Sequence, residues 1–361
     1  MLTFKDITPA DRAVITSYTL RGERRSCDLS FSNLCSWRTL FHSQYALWQG
    51  WLLLRYRAEG RLVYTLPLGG GDAPNMGSAD GQPPVDSALP SANNALPSVD
   101  NGRPSVDNGR PGSRDGLDQG RSSLRAVVEV LMADARSQGV PFCLAGINEE
   151  MIPRLEQAMP GRFTFSCERD YADYLYLRRD LASLAGRRLQ PKRNHINQFL
   201  RRYPQYEYLT VTPAHIGECL RLEDEWYQAN PAHWHEGAEA ERAAVCYALR
   251  HWEVLGLTGG LLRVEGRTVA FTFGMPINGD TFGVHAEKAD ARVEGAYAMI
   301  NREFARRIPE RFTYVNREED LGIAGLRQAK LSYHPVKLLN KYHAVLKEEE
   351  GSRQPETSPE P

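Results

Sequence analysis

Residues 69–121 constrain the fold of this chain more than any other part of it. They open as GGGDAPNMGSADGQPP and continue as a degenerate seven-residue repeat: LPSANNA, LPSVDNG, RPSVDNG, RPGSRDG. Pro, Gly, Ser, Asn and Asp dominate, and no aromatic residue occurs. Such a stretch cannot bury enough apolar surface to offset its chain entropy. The seven-residue period does not make a coiled coil, because Pro in nearly every repeat breaks a helix. The expectation is a disordered insertion in a surface connection, tolerated because loop-closure entropy grows slowly with length. Whatever folds must be built from the two parts that flank it.

Those flanks carry mixed patterns. Trp48 to Tyr56 and Arg61 to Leu68 read as strands joined by a turn at Ala58–Glu59–Gly60. Leu124, Val127, Val128, Leu131, Met132 and Ala135 keep helical spacing, with Ser122 or Ser123 to cap the start and Gly139 to end it. Short strands at 141–145, 162–166 and 174–177 surround a helix at 151–159. Residues 1–177 thus read as one α+β domain. Residues 178–204 read as a basic connecting helix. Its stretch 178–202 holds eight basic residues against one acid, Asp180, and Leu189, Ile196, Phe199, Leu200 and Tyr203 form an apolar stripe. Pro191 suits a first helical turn. A second domain spans 205–346: a strand at 206–211, helices at 216–228 and 239–255, and strands at 257–264, 268–275 and 281–287. A helix at 294–308, a strand ending at Val315, a short helix and a strand at 342–346 complete it. Residues 347–361 read as a disordered acidic tail.

At 361 residues, two domains are expected. The net charge is −1, so no global field recruits nucleic acid or membrane, and such a partner must use a local patch. The apolar run Ala46 to Leu54 is interrupted by Gln49 and Gly50 and falls short of the ~20 residues a spanning helix needs. Met1 to Ser17 lacks the pattern of a signal peptide. The six cysteines show no CxxC spacing and no zinc set, and read as free thiols in a reducing cytoplasm. His233 and His235 form H-x-H without a third ligand, so loop packing around Trp234 is preferred and no metal is expected.

The chemistry concentrates in Tyr314 to Tyr333, YVNREEDLGIAGLRQAKLSY. A strand end passes through a turn loosened by Gly322 and Gly325 into a short helix through Leu326, Ala329 and Leu331. That corner is expected to aim Asn316, Asp320, Arg327 and Lys330 at one cleft between the domains, with Glu318 a further candidate substrate contact. Arg327 and Lys330, three apart on a helix, would reach one anionic group, with Asp320 opposing them. Acyl transfer needs a polarised carbonyl, a deprotonated acceptor and a neutralised leaving group. Glu287 and Asp320 are candidate bases or holders of an amino group. Tyr333 is a candidate proton donor to a leaving oxygen. Lys192, Arg193 and Asn194, in the basic run, are candidate substrate contacts. The run as a whole suits tRNA phosphates. Helix-end charge preferences and solvated helix faces compete with each of these readings.

The order of elements in 205–346 resembles the GNAT acyltransferase fold, and 2–177 repeats that order loosely, implying tandem GNAT-like domains in an α+β chain. KRNHINQF at 192–199, HAEKAD at 285–290 and VNREEDLGIAGLRQAKLSYHPVK at 315–337 resemble the family of the phosphatidylglycerol lysyltransferase C-terminal domain. In membrane-bound members an amino acid moves from its tRNA to a lipid head group. The resemblance therefore implies aminoacyl-tRNA as co-substrate and an amine or hydroxyl acceptor, either a small molecule or a lipid head group. The multi-helix membrane portion of those members does not occur in this sequence. Acyl-CoA is the lesser expectation. The Arg/Gln-x-x-Gly-x-Gly/Ala phosphate loop of CoA-using GNATs is matched by Arg292 and Gly295, but Tyr297 takes the small position and Glu294 repels phosphate. A non-catalytic binding module on the same fold is the alternative from another class.

Overall fold

The computed structural model describes residues 2–58, 60–69, 123–229 and 237–347. The expectations for most of the insertion, for His233 and His235 and for nearly all of the tail lie outside the described residues. The strands are β1 Lys5–Asp6, β2 Gln44–Trp48, β3 Trp51–Ala58, β4 Arg61–Thr65, β5 Leu68–Gly69, β6 Cys143–Ile147, β7 Phe163–Cys167 and β8 Asp173–Leu177. They continue as β9 Glu207–Thr210, β10 Thr258–Val264, β11 Arg267–Pro276, β12 Thr281–Ala289, β13 Tyr314–Asn316, β14 Lys337–Leu339 and β15 Tyr342–Leu346.

Two mixed sheets result. One has the order β1-β2-β3-β4-β6-β15-β7, with β5 paired to β3, and the other has the order β14-β8-β13-β12-β11-β10-β9. The sheets do not divide where the sequence reading places its boundaries. β8, the last strand before 178, pairs with β13 and β14 in the second sheet. β15, the last strand of the chain, returns to the first sheet between β6 and β7. Strand propensity marks a segment as β but does not select its neighbour, since pairing depends on cross-strand packing.

The core has three parts. Helix Leu124–Ser137 covers one face of the first sheet through Val127, Val128, Leu131 and Ala135. Helix Ala296–Arg307 and the basic helix Gln190–Arg202 cover the outer face of the second sheet, burying Met299, Ile300, Phe304, Ile196 and Phe199. Between the sheets a single cluster joins Ile15, Phe31, Leu52 and Leu54 to Leu249, Phe271 and Phe273. The two halves thus share one apolar interior. Burial at about 25 cal/mol per Å² makes a shared interior a strong reason for them to stay together.

The expected break-free helix at 239–255 is two helices, Ala238–Arg250 and Trp252–Leu255, parted at His251. The basic connection also holds two, Arg178–Ser183 and Gln190–Arg202, separated at Leu184, whose φ is +50°. Before β2 the chain makes three helices, Arg12–Thr19, Phe31–Ser36 and Arg38–Phe41. None of these was legible from periodicity. The second and third are too short to show a full apolar repeat.

Candidate functional site

β12 and β13 run parallel but pair only through 281–283 and 314–316. β13 ends there, while β12 runs on to Ala289. This leaves a notch along one edge of β12. The register of β12 on β11 slips by one residue: Ala286 faces Phe273, Val284 faces Gly274, and His285 is the unpaired residue of a bulge. The bulge reverses the faces of the strand. Phe282, Val284 and Ala289 lie in the core under helix Ala296–Arg307, whereas Ala286 lies in the shared interior.

Two side-chain pairs lace this notch from β12 to the segment after β13. Arg317 Nη2 donates to Glu287 Oε1 at 2.9 Å. Nδ1 of His285 lies 2.9 Å from Glu318 Oε1. Glu287 also accepts at Oε2 from Asn301 Nδ2 at 3.0 Å, an Asn from the middle of helix Ala296–Arg307. Arg317 lies 4.9 Å from the centroid of the Tyr333 ring, and the Lys192 ammonium lies 4.2 Å from the same centroid. Burial pushes the Tyr333 hydroxyl above its ordinary range, so it stays protonated. Burial, with Arg317 nearby, lowers the Lys192 ammonium. Three buried polar atoms of this notch have no hydrogen-bond partner: Arg317 Nη1, Asn301 Oδ1 and His285 Nε2. Such orphans cost about 1–3 kcal/mol each, and a bound ligand can satisfy them.

A second cluster sits between the two sheets. The ammonium of Lys341 lies 2.8 Å from Asp173, 2.9 Å from Asp28 and 3.6 Å from Glu319. Asp173 also accepts from the Cys27 N–H and from Asn316 Nδ2, both at 2.8 Å. Lys330 donates to the carbonyl oxygens of Arg317, at 2.6 Å, and of Glu319. Burial, with Asp173 and Asp28 close by, pushes Glu319 up to about 7 despite Lys341. The Sγ of Cys27 and the carboxylates of Asp28 and Glu319 lie within 4.8 Å of one another and form a set that could hold a metal ion. Lys341 supplies a cation to that same set.

The third cluster is at the outer corner. Asp320 is fully buried. Arg327 donates to it twice, from Nε at 2.9 Å and from Nη2 at 2.7 Å. Tyr174 Oη, Arg169 and the Gly322 N–H donate to it as well. Burial would raise this carboxyl, but the bonds from Arg327 and Tyr174 outweigh it and hold Asp320 well below the usual range. Arg327 also pairs with Asp170 at 2.5 Å.

Of the candidate site residues, Glu287, Tyr333 and Lys192 gather in the notch, and Glu318 pairs with His285. Asn316 and Lys330 belong to the inner cluster, and Asp320 and Arg327 to the outer one. Arg327 and Lys330 do not converge on one group, because Lys330 turns inward to backbone carbonyls. Arg193 donates to the carbonyls of Leu184 and Gly186 and fixes the turn before its helix, while Asn194 is exposed and bonds to Gln190. Sequence reasoning missed Arg317, Asn301, His285 and Lys341 as site residues. Arg317 and His285 stood inside segments already singled out. Asn301 carried a weak signal, a polar residue beside Ile300 in a helix interior where Asn has little reason to sit. Lys341 carried none.

Comparison with known proteins fits this architecture. The fold is an α+β pair of GNAT-like acyltransferase domains. Residues 119–345 match the family model described as "Phosphatidylglycerol lysyltransferase, C-terminal". The chain belongs to that family. A protein of unknown function from Bacteroides thetaiotaomicron is 48% identical, with 96% of this chain and 100% of that chain covered and a TM-score of 0.80. The C-terminal domain of a putative lysylphosphatidylglycerol synthetase from Agrobacterium fabrum shares the fold at 11% identity, covering 94% of this chain and 93% of its own, with a TM-score of 0.56. FemX does so at 9% identity, covering 96% and 97%, with a TM-score of 0.53. No curated protein matches the sequence. Among the described residues, no helix is long and apolar enough to cross a membrane.

Proposed function

We propose that this chain transfers an aminoacyl group from aminoacyl-tRNA to an amine or hydroxyl acceptor in the cytoplasm, and that the β12–β13 notch is where the transfer occurs. One observation carries the reading: the partly buried Glu287–Arg317 pair leaves the buried atoms Arg317 Nη1 and Asn301 Oδ1 without partners, beside Tyr333 and Lys192. Arg317 and Lys192 supply positive charge for the carbonyl oxygen as it becomes an oxyanion. Glu287 and Asn301 Oδ1 are acceptors suited to the α-ammonium of an aminoacyl donor. Tyr333, held protonated, hydrogen-bonds the leaving ribose oxygen.

The reading disfavours acyl-CoA on packing grounds. In CoA-using GNATs the glycine loop lets pyrophosphate approach the helix start. Here Gly295 precedes helix Ala296–Arg307, and a Cβ on it would lie 2.5 Å from the His195 carbonyl oxygen and 3.0 Å from the Phe199 Cβ. The basic helix rests on this glycine, so its small size serves helix packing. The same helix offers Arg201 and Arg202, and the turn before it Arg187 and Arg188, all exposed, for tRNA phosphates. The acceptor is a water-soluble amine or alcohol, or a lipid head group.

The test is a time course with a mixed pool of labelled aminoacyl-tRNA, run with phosphatidylglycerol vesicles or with soluble amines. A parallel arm follows thiol release from acetyl-CoA. Consumption of the aminoacyl ester that Glu287→Gln slows is the expected result. Thiol release without ester consumption would move the protein to acyl-CoA chemistry. Inertness toward both donors would favour a binding module.

A further inference from the structure

The His285–Glu318 pair has no part in the chemistry assigned above, and its hydrogen bonds fix its protonation pattern. Glu318 Oε1 lies 2.9 Å from His285 Nδ1 and also accepts from Asn33 Nδ2 at 2.8 Å. A carboxylate oxygen only accepts, so opposite the Glu318 carboxylate the ring nitrogen is the donor. Nδ1 must therefore carry the proton, and in neutral imidazole Nε2 is then the bare, basic nitrogen. That nitrogen is buried and has no hydrogen-bond partner.

The chain goes to some length to hold this pair. His285 is the unpaired residue of the bulge in β12. Glu318 adopts a left-handed backbone, φ +59°, which is uncommon for a residue other than glycine. Its N–H is bonded to Asn316 Oδ1 at 2.7 Å, and its carbonyl accepts from the Tyr174 N–H at 3.1 Å. Asn33 comes from helix Phe31–Ser36 of the N-terminal half. Three separate segments thus orient one imidazole and leave its basic nitrogen unpaired. A purely structural histidine is expected to satisfy both nitrogens.

We infer that His285 is the proton acceptor for the incoming nucleophile, with Glu318 and Asn33 as its positioning residues; this rests on the aminoacyl-transfer reading. Nε2 takes the proton from the acceptor's N–H or O–H as its nitrogen or oxygen bonds to the acyl carbon. The C–O bond to the tRNA ribose then breaks. The imidazolium, stabilised by Glu318, returns the same proton to the leaving ribose oxygen. Atoms and charge balance without a further reactant, and the histidine ends each cycle neutral.

The experiment uses the full chain and the labelled aminoacyl-tRNA assay. His285→Gln should lower kcat about 10²- to 10³-fold, in the range of a lost general base, while KM for charged tRNA changes less than about threefold. His285→Ala should regain at least about tenfold of its rate with added imidazole, which a packing role would not allow. Glu318→Gln should lower kcat less than His285→Gln. Unchanged kcat in His285→Gln, or a folded His285→Ala that imidazole does not rescue, would overturn the inference. Nitrogen-15 spectra of the unmodified protein judge the dyad without reference to activity. A proton on Nδ1 alone is expected, and a proton on Nε2 in the neutral ring overturns it. If the unmodified chain consumes no charged tRNA, the donor assignment fails, and the spectrum alone decides the dyad.

Discussion

Arg317 and Asp320 are three residues apart, yet they belong to two regions with opposite hydrogen-bond economies. In the notch, Arg317, Asn301 and His285 each leave a buried polar atom unpaired. At the outer corner, Asp320 accepts from Arg327, Arg169, Tyr174 and the Gly322 N–H, and no atom of that cluster is left buried without a partner. A buried ionic cluster built for rigidity should satisfy its members, because each orphan is destabilising. A cluster built to receive a ligand keeps some of them open. Under the proposed function, the difference separates a site open to a ligand from a brace, although both are rich in charge.

The comparison breaks first at Arg317. Arg317→Met would leave Glu287 buried with only Asn301, so unfolding by denaturant should show a loss of about 3–5 kcal/mol. A loss near zero would mean that the notch is wetter and looser than its burial implies. Glu287→Gln keeps the shape and removes the charge. Transfer should fall about 10²-fold or more, with a smaller loss of stability, and an unaltered rate would move the chemistry elsewhere. Arg327→Ala should act in the opposite manner. Asp320 keeps Tyr174, Arg169 and the Gly322 N–H, so a modest loss of stability is expected while turnover stays unchanged in the folded fraction. A change in kcat without a change in stability would bring the outer corner back into the site.

Acid–base behaviour sharpens the contrast, because Glu319 and Asp320 are adjacent and shift in opposite directions. Glu319 rises from 4.5 to about 7, chiefly through burial. Between those values the folded chain keeps a proton that the unfolded chain releases, so stability falls as pH rises through the window and levels off above it. Asp320 is held below its ordinary 3.8. Its contribution is present above about pH 4 and is lost as pH falls further. Glu319→Gln should flatten the decline between pH 4.5 and 7, and Asp320→Asn should flatten the acid limb. Melting curves across pH would show both, and identical profiles for the two variants would refute the assignment.

The smallest effect concerns RNA. Lys192 and Arg193 are occupied within the fold, so the exposed Arg187, Arg188, Arg201 and Arg202 are the residues to change. Replacing all four with Gln should lower the magnitude of the log–log salt slope of tRNA binding by about 3. An unchanged slope would exclude this face as the tRNA contact.

Much of the fold was legible in the sequence. Alternation and helical spacing marked β3, β4 and β10 to β12 and helices Leu124–Ser137, Ile216–Ala229 and Ala296–Arg307, because each buries one regular face. The site was legible only in pieces. Glu287, Tyr333 and Lys192 were singled out for their chemistry, but so were Asp320 and Arg327, which are of the same types and lie in the same segment. Residue type cannot report whether a partner will saturate a charge, since Arg169, Asp170 and Tyr174 come from some 150 positions upstream.

By itself, the sequence determined most of the longer strands and helices, the α+β class and the family, because these rest on short-range propensity and on wording within single segments. Tertiary structure alone decided that β8 and β15 change sheets, that a bulge turns His285 toward Glu318, and that helix Gln190–Arg202 lies on Gly295. Each of these is a contact between distant segments, fixed by packing and hydrogen-bond satisfaction in three dimensions, which no local pattern encodes.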